Sequence, residues 1–243
     1  GRVVTAMSST NVVPDRASVW YVVRSSDENL LGLFERVLNC AKGAALATNT
    51  ELAAVRVLAA LHQSHHNKLL AELMQKNIGL VGMPEWTEEE HAFAKALQKE
   101  LGARQTGMPT KVGAIGKPAT VFTGGASSDH GDVTLIAPTA TIRFPGIASG
   151  AQGHHWSTVA SGFGSTAWKG ASAGAKAMAA SAIDLLTDPD ALAAIRKEFD
   201  EYSKTHPYKS FLPADAQPPL DFYDKLMNQY RPAMEAFYRD ADG

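Results

Sequence analysis

Ala17-Ser18-Val19-Trp20-Tyr21-Val22-Val23-Arg24 carries an unbroken β-branched and aromatic run between polar ends. That composition fits a pleated, half-buried surface and predicts a strand. Residues 3–7 have the same character. Between the two lies Ser8-Ser9-Thr10-Asn11-Val12-Val13-Pro14-Asp15. Pro14 holds Val13 extended and removes one backbone donor, so the pair reads as neighbouring strands joined by a short loop. Downstream, Leu30, Leu31, Phe34, Leu38, Ala41 and Ala45 recur at helical spacing, with Asp27 as the cap and an end near Thr48-Asn49-Thr50. Residues 52–61 (LAAVRVLAAL) then read as a strand centred on Val55 and Val57. Strand, strand, helix, strand is the second part of a ferredoxin-like α+β unit without its first strand and helix. A unit that starts in mid-motif is expected to be a piece of something larger. The opening Gly1-Arg2 reads as a cut end, and the first residues of the chain do not read as a signal peptide.

A polar connector, residues 62–68 (HQSHHNK), leads to a second region. Helices are expected over 67–78 and over 87–101, the latter opened by the capping box Thr87 and Glu90. Residues 102–119 are rich in glycine and proline and read as loop. Residues 132–137 and 139–144 read as strands, 146–164 as an irregular glycine-rich stretch, and 170–186 as a small-residue helix packed on a sheet. Asp188-Pro189 starts a further helix with the stripe Leu192, Ile195, Phe199 and Tyr202. The aromatic tail, 218–240, is expected to be helical and interrupted at Pro232. The fold class that follows is α/β.

Composition narrows the functional classes. The chain has 243 residues, with 23 Lys plus Arg against 25 Asp plus Glu. No basic face for nucleic acid or for an anionic membrane surface follows from that balance. No apolar run approaches the ~20 residues of a membrane span. With Cys40 as the one cysteine, neither an internal disulfide nor a Cys-based zinc site can form, and a reducing, cytoplasmic compartment is expected.

Several clusters carry candidate chemistry. Gly164 to Gly170 has the flavour of a phosphate loop, but Lys169 precedes Gly170 where a P-loop needs the reverse order. Gly162-Phe163-Gly164 with Ala167 is a partial dinucleotide fingerprint without its strand or its acidic residue. His62, His65 and His66 have imidazole spacing for a metal, and equally for a polar connector. Glu88-Glu89-Glu90 before His91 complements a helix dipole. His154 and His155 sit in Gly150-Ala151-Gln152-Gly153-His154-His155-Trp156, a glycine-flanked loop after a strand, where α/β sites lie. A functional and a structural role are both open for them. Asp129 and Asp132 are either acceptors that orient a metal-bound histidine or a turn and a cap.

Larger words of sequence go further. Asn11-Val12-Val13-Pro14-Asp15-Arg16-Ala17 with Trp20-Tyr21-Val22-Val23-Arg24 resembles the lid-domain signature of the dimetal aminoacylase and carboxypeptidase-G superfamily. Ser127-Ser128-Asp129-His130-Gly131-Asp132-Val133, Ala137-Pro138-Thr139, Gly153-His154-His155-Trp156 and Trp168-Lys169-Gly170 resemble its aminobenzoyl-glutamate hydrolase subgroup. The matches run in order over most of the chain. The resemblance implies a mixed-sheet catalytic domain interrupted by a lid. Residues 1 to about 64 would be the second half of that lid and dimerisation domain, and residues from about 65 to 243 the C-terminal part of the catalytic domain. The family's other metal ligands and its general-base Glu precede the lid, so they fall outside this chain. The expected activity is metal-dependent cleavage of an N-acyl amino acid amide, with two divalent ions, zinc or manganese. The implied roles are metal ligand for His154 and substrate-carboxylate binding for Asn11 and Arg24. His155 takes the place of a small polar neighbour. The expected partners are the N-terminal half, a second copy through the lid, and a carboxylate-bearing substrate. The alternative is a non-catalytic dimerisation or binding chain derived from the same fold.

Overall fold

The computed structural model describes residues 2–3, 11, 13–116 and 128–238. Most of the expected first strand, residue 12, residues 117–127 and the last five residues lie outside the described ones. The chain divides into two compact units, one made of Gly1–His62 with Lys209–Gly243 and the other of Gln63–Tyr208.

In the first unit, β1 (Arg2–Val3) pairs antiparallel with β2 (Val19–Trp20), Arg2 opposite Trp20. Helix α1 (Asp27–Ala47) follows, with Ser26 rather than Asp27 at its N-cap. Asp27 instead meets His62, whose Nδ1 lies 2.9 Å from its carboxylate. The other ring nitrogen of His62 lies 2.8 Å from the carbonyl of Lys209, and the ring stacks on Phe211 with centroids 4.1 Å apart. This histidine of the connector therefore ties three segments together. Arg56 holds Asp221 through both guanidinium nitrogens. A short 3-10 turn (Leu220–Tyr223) runs into α8 (Asp224–Glu235), which contains Pro232 and buries none of its residues.

The second unit is helical. Helix α2 (Lys68–Val81) is capped by Asn67, whose side-chain oxygen accepts from the Leu70 amide. The Glu198 carboxylate accepts from the next two orphan amides, Lys68 at 2.7 Å and Leu69 at 2.9 Å, an anion at the positive helix end. Helix α3 (Glu88–Glu100) opens with the full Thr87–Glu90 capping box. Short α4 (His130–Thr134) and α5 (Trp156–Gly162) precede the long α6 (Ser165–Thr187) and α7 (Pro189–Ser203), the latter with Pro at its start and Asp188 accepting from the Ala191 amide. The chief packing is α2 on α6, with α7 against both. Thr166, Gly170, Ala173, Ala177 and Ser181 form the buried stripe of α6. They allow close approach, but to the helices α2 and α7 and not to the sheet expected from the small-residue pattern. A second cluster joins Ala94 and Leu97 of α3 to Met108 and Ala148, with Trp86 and Leu101 packed on it.

The α/β expectation is overturned. Among the described residues there is no mixed sheet and no half of a ferredoxin-like sandwich; the strand pairing is the two-residue ribbon β1–β2. A strand exists only where a neighbour ~4.8 Å away completes its ladder. Residues 52–61 and 139–144 have strand-like composition, but no described strand pairs with them, and both run without regular structure. Residues 132–137 go the other way. Thr134 is buried and turns its hydroxyl onto the Gly131 carbonyl at 2.6 Å, within helix α4 and its C-terminal turn. No helix among the described residues is long and apolar enough to cross a membrane.

Residues 145–146 lie directly against α6. A Cβ on Gly170 would overlap the Pro145 carbonyl oxygen and stand 2.9 Å from the Gly146 Cα. Both are backbone atoms that cannot swing aside. Gly170→Ala should therefore cost about 2 kcal/mol, as overpacking does, read as a lowered urea midpoint. A midpoint equal to wild type would show that the loop does not sit on the helix.

Candidate functional site

Residues 148–155 form a loop strapped to the short helix that follows it. The Ala148 amide donates to Ser161 Oγ at 2.6 Å, the Gln152 amide reaches Ser157 Oγ at 3.4 Å, and the Thr158 hydroxyl donates to the Gln152 carbonyl. Ser157 and Ser161 are buried on α5. His155 is the N-cap: its Nδ1 accepts from the Ser157 amide at 3.3 Å and lies 2.8 Å from the Ser157 hydroxyl. One nitrogen of His155 is thus committed to the helix.

His154 differs. It is exposed, and its backbone sits at φ 58°, the left-handed region that a residue with a Cβ enters at a cost of roughly 1–2 kcal/mol. Such strain persists where the surroundings hold it, and it concentrates at functional positions. The straps hold a backbone apex in the left-handed region, and the imidazole it carries is exposed.

The other sequence candidates take other places. Asp129 is exposed at the N-cap position of α4, without a side-chain capping bond, and Asp132 is half-buried in the first turn. The neighbour of this helix is instead His66, whose ring lies 5.5 Å from that of His130 and whose Nε2 is 3.1 Å from the Thr141 hydroxyl. Asn11 and Arg24 are exposed and belong to the first unit. Among the described residues no three His, Cys, Asp or Glu side chains gather closely enough to hold a metal ion. The described residues by themselves therefore do not form a metal centre.

Two arrangements are invisible in the local sequence pattern. Glu90 is 7% exposed and takes Lys169 Nζ at 2.8 Å, the Ser165 hydroxyl at 2.5 Å and the Thr87 amide at 2.7 Å. Burial pushes its carboxyl up, but the bonds from Lys169, Ser165 and Thr87 outweigh it and hold the pKa down to about 2. Lys169 also donates to the Glu85 carbonyl at 2.8 Å. The lysine of the phosphate-loop candidate is thus a rivet between the start of α3 and the start of α6. The capping box showed Glu90, but not its distant partner.

The second arrangement is a ring stack. His65 lies on Tyr202 with centroids 3.4 Å apart, and Tyr202 lies on His206 at 4.2 Å. Burial lowers the pKa of His65 from its ordinary 6.5; the charge of His206 adds to this and Glu198 opposes it. Burial also lowers His66, helped by His130 and Arg143. For a depressed imidazole the unfolded chain binds the proton first. Stability is therefore full above pH 6.5 and declines as pH falls below it toward the lower folded values. Urea midpoints should drop on going from pH 7 to pH 5.5, and His65→Phe should flatten that drop. A midpoint constant over this interval would refute the coupling.

No family model matches the chain, and no solved structure matches it. It is similar to a p-aminobenzoyl-glutamate hydrolase subunit of Escherichia coli (strain K12), with 32% identity over 234 residues. That match covers 86% of this chain and 48% of the relative, so the chain spans about half the length of the curated relative it matches. By sequence, then, most of this chain is similar to part of a protein named as an aminobenzoyl-glutamate hydrolase subunit.

Proposed function

We propose that this chain is part of a metal-dependent amide hydrolase acting on aminobenzoyl-glutamate or a related N-acyl amino acid. The similarity to the E. coli hydrolase subunit carries this reading. The strained, exposed His154 supports it as the position of one metal ligand. On this reading the remaining ligands and the general base come from polypeptide outside this chain, the first 64 or so residues belong to a lid, and two copies associate through it. Asn11 and Arg24 hold the substrate carboxylate. The guanidinium fork matches a carboxylate in shape and charge, and an amide adds neutral donors. The test is hydrolysis of aminobenzoyl-glutamate by the native protein purified from its source, before and after chelation. Release of aminobenzoate that chelation abolishes is the expected result; no release sinks the reading.

A second reading, a non-catalytic binding chain, is favoured by one observation, the lack of any three gathered metal-ligating side chains among the described residues. Substrate binding without turnover by the native protein would select it.

Arg24→Ala in the native protein should raise KM about tenfold or more, with a smaller fall in kcat. A remote carboxylate contact holds ground and transition states alike and orients the amide only indirectly. Unchanged kinetics would remove Arg24 from the site.

A further inference from the structure

The histidines of the connector have different neighbours. His62 has the Asp27 carboxylate at 2.9 Å. His65 has the Tyr202 ring against it, with Glu198 near enough to oppose the fall in its pKa. His66 has neither. Its ring lies 5.5 Å from that of His130, and its Nε2 lies 3.1 Å from the Thr141 hydroxyl. The Asn67 amide donates to the Thr139 carbonyl at 2.8 Å, which holds this end of the connector on the stretch that carries Thr141 and Arg143. Arg143 stands close enough for its charge, with that of His130, to press the His66 imidazole toward its neutral form. Two imidazoles, a guanidinium and a hydroxyl thus share one patch of the second unit, where His66, Thr141 and Arg143 are exposed.

No carboxylate offsets these groups. Among the described residues no ion pair takes His66, His130 or Arg143. Asp129 and Asp132 flank His130 in sequence, but neither gathers with the two imidazoles. From residue 101 to residue 183 these two are the only acids, against six Lys and Arg. Lys169, one of the six, is held by Glu90. Cationic groups brought together without a counterion disfavour one another's charge. A local rule broken without a gain inside the fold marks a functional position.

We infer that His66, His130, Thr141 and Arg143 form a binding site for a phosphate dianion, either the free ion or the phosphate end of a monoester. The guanidinium fork takes two oxygens in parallel, and a third oxygen remains for the imidazole N–H groups and the hydroxyl. A carboxylate has two oxygens, and the fork alone uses both. Neither His154 nor the hydrolase reading enters into this site. The charged groups facing His66 are His130, Arg143 and His65, with Glu198 and His206 beyond His65. A dianion set among the first two reverses their effect and favours the charged imidazole. The site therefore takes up protons as it fills, and it tightens as pH falls.

Sulfate is the first probe, because it stays a dianion across the range and its affinity then reports the imidazoles alone. The native protein, isotope-labelled at its histidine rings and treated with a chelator, is titrated by NMR at pH 6 and pH 8. The ring signals of His66 and His130 should shift, with sulfate bound at least about tenfold more tightly at pH 6. Arg143→Gln and His130→Gln should each weaken it at least about tenfold at pH 6, whereas Lys176→Gln, with the same loss of charge as Arg143→Gln, should leave it within about twofold. Inorganic phosphate should displace the sulfate. Displacement by inorganic phosphate alone assigns the free ion, and displacement by methyl phosphate as well assigns the monoester. Unmoved signals, equal affinity at the two pH values, or Arg143→Gln binding like wild type overturns the inference. Displacement by glutamate as readily as by phosphate makes the patch a carboxylate site and overturns it too. So does zinc shifting both rings at an equimolar ratio where sulfate shifts neither, which would make the pair a metal site.

Discussion

On the proposed hydrolase reading, His154→Gly in the native protein should lower aminobenzoyl-glutamate hydrolysis by at least about a hundredfold while leaving thermal stability equal or slightly higher. Loss of a partner that merely orients a metal ligand costs about 10–100-fold, and loss of the ligand itself should cost more. The stability side follows from the backbone. At φ 58° the histidine bears a strain that glycine does not. Glycine also loosens the unfolded chain by roughly 0.4–1 kcal/mol, which offsets part of the relief. The net change therefore lies near zero or on the stabilising side, where an ordinary substitution costs about 1 kcal/mol. A residue whose removal stabilises the fold and ends the reaction is held for its chemistry. His155→Ala should show the reverse pattern. It loses the cap of α5, about 1 kcal/mol, and keeps activity within tenfold. Full activity in His154→Gly would take this residue out of the site, and an inactive His155→Ala beside it would move the ligand by one position.

Lys169→Met should destabilise the fold by about 3–5 kcal/mol, since it strips the cation from a carboxylate that stays buried. Glu90 would keep the Ser165 hydroxyl and the Thr87 amide, which are too few for a charge at 7% exposure. Adding Glu90→Gln should recover much of the loss, because a neutral amide needs no counterion. The pH dependence has a definite sign. A carboxyl held at about 2 against an ordinary 4.5 contributes fully above pH 4.5, and that contribution is lost as pH falls toward 2. Urea midpoints of wild type should fall across that interval, and those of Lys169→Met should fall less. A variant with the wild-type midpoint at pH 7 would mean that the pair is not buried in solution.

What could be seen in advance follows the range of the forces. The Thr87–Glu90 box and Asp188 ahead of Pro189 at a first turn are set within four residues, and each stands where the pattern put it. Strands are different, because every ladder hydrogen bond has its partner on a neighbouring strand. Val55 and Val57 favour a pleat, but nothing near them in sequence reveals whether a second strand arrives. The rivet has the same logic: Lys169 and Glu90 are 79 residues apart, and no local pattern connects them. The loop of His154 was visible as glycine-flanked, but its left-handed apex was not, since that comes from straps made by Ser157, Thr158 and Ser161 of the following helix. Asp129 and Asp132 are expected as acceptors for that loop's histidine, and the structure sets Asp132 in the short helix α4 and Asp129 at that helix's cap.

The buried stripe of α6 has a consequence for how the helices find their places. Ala173, Ala177 and Ser181 are nearly alike in size. A helix lying on such a smooth track could slide by one turn, about 5.4 Å, and meet almost the same surface. Van der Waals contact hardly distinguishes the two positions. Asn77 of α2 does, because its side-chain nitrogen donates to Ser181 at 3.2 Å and to Asp184 at 2.9 Å, and it is 1% exposed. One turn out of place, that amide would be enclosed with no acceptor, a penalty of about 1–3 kcal/mol. The alanines let the helices come close, and a single asparagine tells them where to stop.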